Sequence, residues 1–160
     1  MKKIILVLSV ILLLSIGLTG CSFDVSRPEI KEGRFNVTVT YELDGEVKKA
    51  SGVYVCKYKG IAWTMEGIPY VNWKESYEGD INENGVIFLG KTEDGGELLI
   101  TFLFHPEYFM GDPECSEWTP IVTAEVFYDD RQIDDPDEVA EYGLRLIDCE
   151  YDKPIENTYK

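Results

Sequence analysis

Apolar and polar residues alternate strictly along the segment that begins at Arg34. Phe35, Val37, Val39, Tyr41 and Leu43 fall on one face, and Asn36, Thr38, Thr40 and Glu42 fall on the other. A period of two places one face of a strand in a core and the other in water. Asp44-Gly45 follows at once, a dipeptide that tolerates positive φ at both positions and so suits a tight hairpin turn. The return strand is expected over Glu46 to Lys59, with Ala50-Ser51-Gly52 marking a bulge or a break in it. Val86 to Gly90 and Glu97 to Phe104 flank Glu93-Asp94-Gly95-Gly96 as a second hairpin. The run Leu98 to Phe104 is nearly continuous in apolar character, which assigns it to the centre of a sheet. Ile121 to Tyr128 and Leu144 to Tyr151 supply two late strands. Between them, Asp135 as cap, Pro136 at the first helical position, Glu138 at capping-box spacing and Gly143 at the end predict one or two helical turns.

Counting a short edge strand at Pro28-Glu29-Ile30, this makes about seven strands joined by turns with almost no helix. The fold class is all-β: a two-sheet antiparallel sandwich of immunoglobulin-like architecture with one short helical segment, a small closed barrel being the alternative. The domain is expected over residues 34–152. Residues 22–33 lack sustained periodicity and read as a tether, and the polar tail 153–160 is expected to fray.

The first 21 residues follow another pattern. Lys2 and Lys3 precede an apolar run from Ile4 to Leu14 that is short for a membrane span but matches a secretory signal. The run ends in Leu18-Thr19-Gly20-Cys21, which resembles the lipobox of bacterial lipoproteins, and the chain as a whole is similar to small lipoproteins of Gram-positive bacteria. The resemblance implies a signal peptide over 1–20 that is cleaved, and a lipid-anchored Cys21 that becomes the new N-terminus. It also implies residence on the extracytoplasmic face of the cell membrane, with membrane attachment through the lipid on Cys21. Two acyl chains on one Cys, at about 0.8 kcal/mol per buried methylene, anchor stably where a single chain exchanges.

Charge narrows the partners. The 160 residues carry 15 Lys+Arg against 30 Asp+Glu, a formal −15, which argues against nucleic acid, since a phosphate backbone demands a basic surface. The length excludes the two-lobed body of a solute-capturing lipoprotein. Apolar residues at 44 % and aromatic residues at 12 % exclude disorder. Removing Lys2 and Lys3 with the signal leaves 13 bases against the 30 acids, a formal −17. Repulsion from an anionic membrane is then expected to keep the body of the protein off the lipid.

Apart from Cys21, the cysteines are Cys56, Cys115 and Cys149, so at most one intramolecular disulfide forms. Cys56 with Cys149, a pair involving Cys115, and no bridge all stay open. Tyr54-Val55-Cys56 echoes the Tyr-x-Cys of immunoglobulin domains, early in the chain rather than late. A zinc site is disfavoured, because there is one His and no close Cys pair.

Asp80-Ile81-Asn82-Glu83-Asn84-Gly85 matches the first half of a calcium loop, with oxygen donors Asp80, Asn82 and Asn84 at alternate positions before a Gly. The twelfth position is Lys91 where such loops need an acid, and Asn84-Gly85 equally suits a hairpin turn. The acidic run Asp129, Asp130, Asp134, Asp135, Asp137, Glu138 and Glu141 reads as a solvated loop. His105 is the one imidazole available to a hydrolase, with Cys115 as its thiol, yet no elbow or oxyanion glycines accompany it. Tyr58, Trp63, Tyr70, Trp73 and Tyr77 crowd one segment and form either core or an exposed stacking platform.

The resulting expectation is a lipid-anchored, non-catalytic binding or interaction module without a cofactor or metal. Its partner is expected to be a glycan, a peptide or an envelope protein, held by the aromatic segment or by one end of the sandwich. The competing readings are an envelope hydrolase using His105 and a calcium-stabilised structural domain.

Overall fold

The computed structural model describes residues 25–113 and 118–160. The expectations placed on the signal segment, on Cys21 and on Cys115 therefore lie outside the described residues. Strand β1 (Glu32–Leu43) buries Phe35, Val37, Val39 and Tyr41 and exposes or half-exposes the residues between them, as the alternation requires. Asp44 (φ 54°) and Gly45 (φ 80°) turn the chain with both residues at positive φ, the backbone that matches strand twist in a two-residue hairpin. Strand β2 (Glu46–Trp63) then runs back in unbroken register from Leu43↔Glu46 to Glu32↔Lys57.

The bulge expected at Ala50-Ser51-Gly52 is absent from this pairing, since Val39↔Ala50, Thr38↔Ser51 and Val37↔Gly52 face each other in sequence. Gly52 serves close approach instead: a Cβ there would stand 2.6 Å from the Glu78 carbonyl oxygen and 2.9 Å from Ile81 Cδ1. The irregularity in β2 falls between Tyr58 and Gly60, where it faces β3 (Pro69–Gly79). That third strand was not anticipated from the sequence.

The remaining strands are β4 (Val86–Lys91), β5 (Glu97–Leu103), β6 (Ile121–Phe127), β7 (Gln132–Ile133) and β8 (Leu144–Tyr151). Two short helices interrupt them, α1 (Pro106–Phe109) and α2 (Pro136–Ala140). Helix α2 begins as expected, with the Asp135 carboxylate accepting from the Asp137 and Glu138 amides at 3.0 and 3.2 Å.

Two four-stranded antiparallel sheets result, ordered β3-β2-β1-β8 and β4-β5-β6-β7. They pack face to face over Phe35, Tyr54, Ile100, Phe102, Val126 and their neighbours. The expected two-sheet architecture is present, and β5 lies inside its sheet as expected. The second sheet is a simple meander, whereas in the first β8 returns from the second sheet to lie beside β1. This placement of a late strand beside the first is the Greek-key order that immunoglobulin-like sandwiches also use.

The tail does not hang free. The Ile155 amide donates to the Phe109 carbonyl at 3.0 Å, and Glu29 to Thr158 O at 2.9 Å. Asn157 both accepts from the Ile30 amide and donates to its carbonyl, each at 2.9 Å. Pro28 bridges to Tyr159. Residues 27–30 and 157–160 thus brace one another, because each supplies the backbone partners the other lacks. This replaces both the fraying expected of the tail and the slack expected of the second half of the tether.

The sandwich has two unlike ends. The Asp44-Gly45 turn and the turn at 92–96 lie at one end, linked by α2, which packs on both β6 and β8. The N-terminus of β1, helix α1 and the far part of β2 and β3 lie at the other.

Candidate functional site

Strand β2 outruns its neighbour. Its pairing with β1 stops at Glu32↔Lys57, and beyond that point it pairs with β3 alone through Gly60↔Asn72, Ile61↔Val71, Ala62↔Tyr70 and Trp63↔Pro69. The tip is closed by Thr64, whose amide donates to the Ile68 carbonyl at 2.8 Å and whose Oγ1 accepts from the Ile68 amide at 3.2 Å. Gly67 supplies the positive φ (78°) that the turn needs.

The root of this hairpin is firmly held. The Tyr58 amide donates to the Lys31 carbonyl at 2.8 Å, the Lys31 ammonium sits 5.9 Å from the Tyr58 ring centre, and Tyr58 meets Trp73 edge-on at 5.8 Å. Trp73 is only 8 % exposed, and its Nε1 has no acceptor among the described residues.

The tip is the opposite. Trp63 is 60 % exposed and Met65 is fully exposed, with Ile68 and Tyr70 also open to solvent. The aromatic segment is therefore split: Tyr58, Trp73 and Tyr77 belong to the core or its margin, while Trp63 and Tyr70 project. Of the two readings, core or exposed platform, neither holds for the whole segment, since Trp73 turns inward with Val71. Three lysines, Lys57, Lys59 and Lys74, flank the stem and are exposed. Lys57 pairs with Glu32 at 3.2 Å, whereas Lys59 and Lys74 have no ion pair among the described residues.

The other candidates are dispersed. His105 caps α1 and meets Trp118 edge-on at 4.4 Å. Its neighbour Glu107 has a carboxyl raised by burial. Cys56 and Cys149 are free thiols, and neither is an activated nucleophile: burial pushes Cys56 up to about 12 and Cys149 up to about 11. They also cannot bridge each other. Both lie in the same sheet, flanking β1, with Cys56 opposite Gly33 and Cys149 opposite Val39. Six residues along a strand put them about 20 Å apart, beyond disulfide reach.

In the loop 80–85, the Asp80 carboxylate accepts from the Ser51 amide at 2.9 Å. The Asn82 side-chain oxygen accepts from the Asn84 and Val86 amides at 2.9 and 3.1 Å. These oxygens close a turn, so the melting midpoint is expected to be the same in millimolar-range calcium and in excess chelator; a rise of several degrees with calcium would return the loop to metal binding. Among the described residues no three His, Cys, Asp or Glu side chains are grouped to hold a metal ion.

Two further surfaces stand out. An open groove of about 410 Å3 at the acidic end is lined by Lys91, Asp94, Glu97, Phe127, Tyr128 and Asp129 among others. Three of its charged groups are already engaged: Asp94 accepts from Thr92 and Tyr128, which holds its carboxyl below the usual range, and Lys91 pairs with Glu97 at 3.1 Å. The outer face of the second sheet exposes Phe88, Leu103, Ile121 and Phe127. The half-buried Thr101 and Thr123 face each other between them, and the Thr123 hydroxyl donates to the buried Glu125 carboxylate.

The molecule is thus an all-β sandwich from which one braced hairpin projects an apolar tip. The chain matches no protein-family model, no curated protein and no solved structure. The sequence signal for the hairpin was the turn chemistry of Thr64, Gly67 and Pro69 between two aromatic-rich runs. It was masked by the weak alternation of the β3 segment.

Proposed function

We propose that this chain is a non-catalytic binding module, lipid-anchored through Cys21 on the extracytoplasmic face of the membrane, and that the β2–β3 hairpin is its binding element. The observation that carries the reading is the tip itself. Trp63, Met65, Ile68 and Tyr70 are exposed together on a rigidly rooted projection, and clustered exposed apolar side chains of this kind mark interaction sites. The anchor rests on the Leu18-Thr19-Gly20-Cys21 resemblance. It makes the hairpin part of an envelope-facing protein whose partner is a glycan, a peptide, an envelope protein or the membrane.

A photo-crosslinking residue in place of Met65, in cells that produce the full chain, tests this directly. Adducts are expected at the tip and not when the same residue replaces Glu93 at the opposite end. Trp63→Ser with Ile68→Ser should abolish them without moving the melting midpoint. A tip that crosslinks no more than position 93 would refute the reading. Cys21→Ala should abolish incorporation of a palmitate analogue.

A further inference from the structure

Resting on the reading that the hairpin is the binding element, we infer that its partner is the anionic lipid surface itself, with the tip acting as a wedge into the headgroup region beside the anchor. The first argument is the disposition of the rings. Trp63 faces Pro69 and Tyr70 faces Ala62 in adjacent cross-strand pairs, and adjacent pairs point to opposite faces of a ribbon. A flat sugar or a peptide lying on one face meets one ring and not the other. A bilayer interface surrounds the tip and accepts apolar side chains on all sides, and Trp and Tyr are the residues that settle there.

The second argument is charge. The segment 57–74 carries Lys57, Lys59 and Lys74 against Glu66 alone, a net positive stem in a chain of formal −15. Lys59 stands four residues behind Trp63, about 13 Å along the strand and within side-chain reach of the headgroups around a seated Trp63, while Lys57 and Lys74 face each other at the root, about 20 Å behind it, and feel the anionic surface more weakly. Six of the 30 acids, Asp129, Asp130, Asp134, Asp135, Asp137 and Glu138, follow β6 at the end where β5 meets the 92–96 turn, opposite the hairpin. That acidic run is far from the hairpin, so its repulsion turns the opposite end of the molecule away from the lipid.

The third argument is the point of chain entry. Lys31 is bonded to Tyr58 at the hairpin root, so the N-terminal segment joins the sandwich at the hairpin's end. Residues 27–30 are held against the tail, so the six chain steps from Arg27 to Cys21 span at most about 21 Å, while the hairpin reaches about 23 Å from Tyr58 to Met65. A lipid on Cys21 therefore brings the tip within reach of the same membrane.

The test uses the full chain, anchored in phosphatidylcholine vesicles with or without phosphatidylglycerol, the acyl chains being brominated to quench nearby indoles. Trp63→Phe isolates the emission of Trp63 from that of Trp73 and Trp118. Trp63 is expected to be quenched in the anionic vesicles and much less in the neutral ones. A lysine near the surface is worth about fivefold in affinity, so Lys59→Ser should shift the ratio of inserted to free hairpin by about fivefold. High salt should act in the same direction. Both positions are exposed, and an unchanged melting midpoint verifies each variant.

An anchored protein whose Trp63 stays unquenched and open to iodide overturns the wedge. If the Met65 crosslinks then lead to a protein or a glycan, the binding-module reading stands with another partner. If the tip forms no crosslinks either, both readings fall together.

Discussion

Phe109→Ala is expected to destabilise the fold by about 3–5 kcal/mol, the cost of deleting a large buried ring whose surroundings relax only in part. Helix α1 is a single turn with no side-chain cap, so its own backbone contributes little to holding it in place. What fixes it is Phe109, fully buried among the rings of Phe35, Tyr54, Phe104, Tyr108 and Tyr151 at centroid distances of 4.8 to 5.7 Å. The same turn receives the tail, through the Ile155 amide on the Phe109 carbonyl and the Tyr159 hydroxyl on the Met110 carbonyl at 3.3 Å. Losing the ring therefore loosens both termini as well as the core. Against a typical total of about 5–15 kcal/mol, the urea midpoint should drop by a large fraction, whereas Trp63→Ala at the exposed tip should move it by about 0.5 kcal/mol at most. A Phe109→Ala cost below about 1 kcal/mol would mean that the aromatic cluster does not hold α1.

Raising the pH from about 8 to about 11 is expected to destabilise the protein steeply. In an unfolded chain a thiol ionises near 8.5 and a phenol near 10. In the fold, burial raises Cys56 from 9.0 to about 12 and Cys149 from 9.0 to about 11, and pushes Tyr54 and Tyr77 above the ordinary phenol range. The native state then keeps protons that the unfolded state has released, so stability falls as pH rises. The contribution is complete below the unfolded values and is lost at about 1.4 kcal/mol per pH unit for each such group until its folded value is reached. Tyr54 adds a direct reason, since its hydroxyl donates to Glu75 at 2.7 Å only while protonated. Urea midpoints measured along the alkaline range should be level and then descend, and Tyr54→Phe should flatten the upper part of the descent. A level curve to about pH 11 would contradict the burial of these groups. On the acid side, Glu78 and Asp94 are held below their usual values by Arg34 and by Thr92 with Tyr128. They lose stability as pH falls, weakly, because both are open to solvent.

Much of the local structure was legible in the sequence because it depends on near neighbours. The alternation from Phe35 to Leu43, the Asp44-Gly45 turn, the glycine turn at 93–96 and the Asp135 cap each satisfy their own requirements within a few residues, and each appears where expected. The candidate site was legible only in part. Five aromatic residues between 58 and 77 announced something unusual, yet nothing within the segment distinguished Trp73, which turns under Tyr58, from Trp63, which passes beyond the end of β1.

That distinction depends on where a neighbouring strand stops. The same holds for the separation of Cys56 from Cys149 by the register of β1, and for the tail, whose polar residues carry no sign that residues 27–30 offer them partners. Strand character, turns, total charge and the lipobox resemblance belong to the sequence by itself. Which rings project, which thiols are shut in and at which end the acidic run lies belong to the tertiary structure, because burial and pairing are set by residues far away in the chain. The total charge is one number, whereas the placement of the acidic run is a property of the packed sheets.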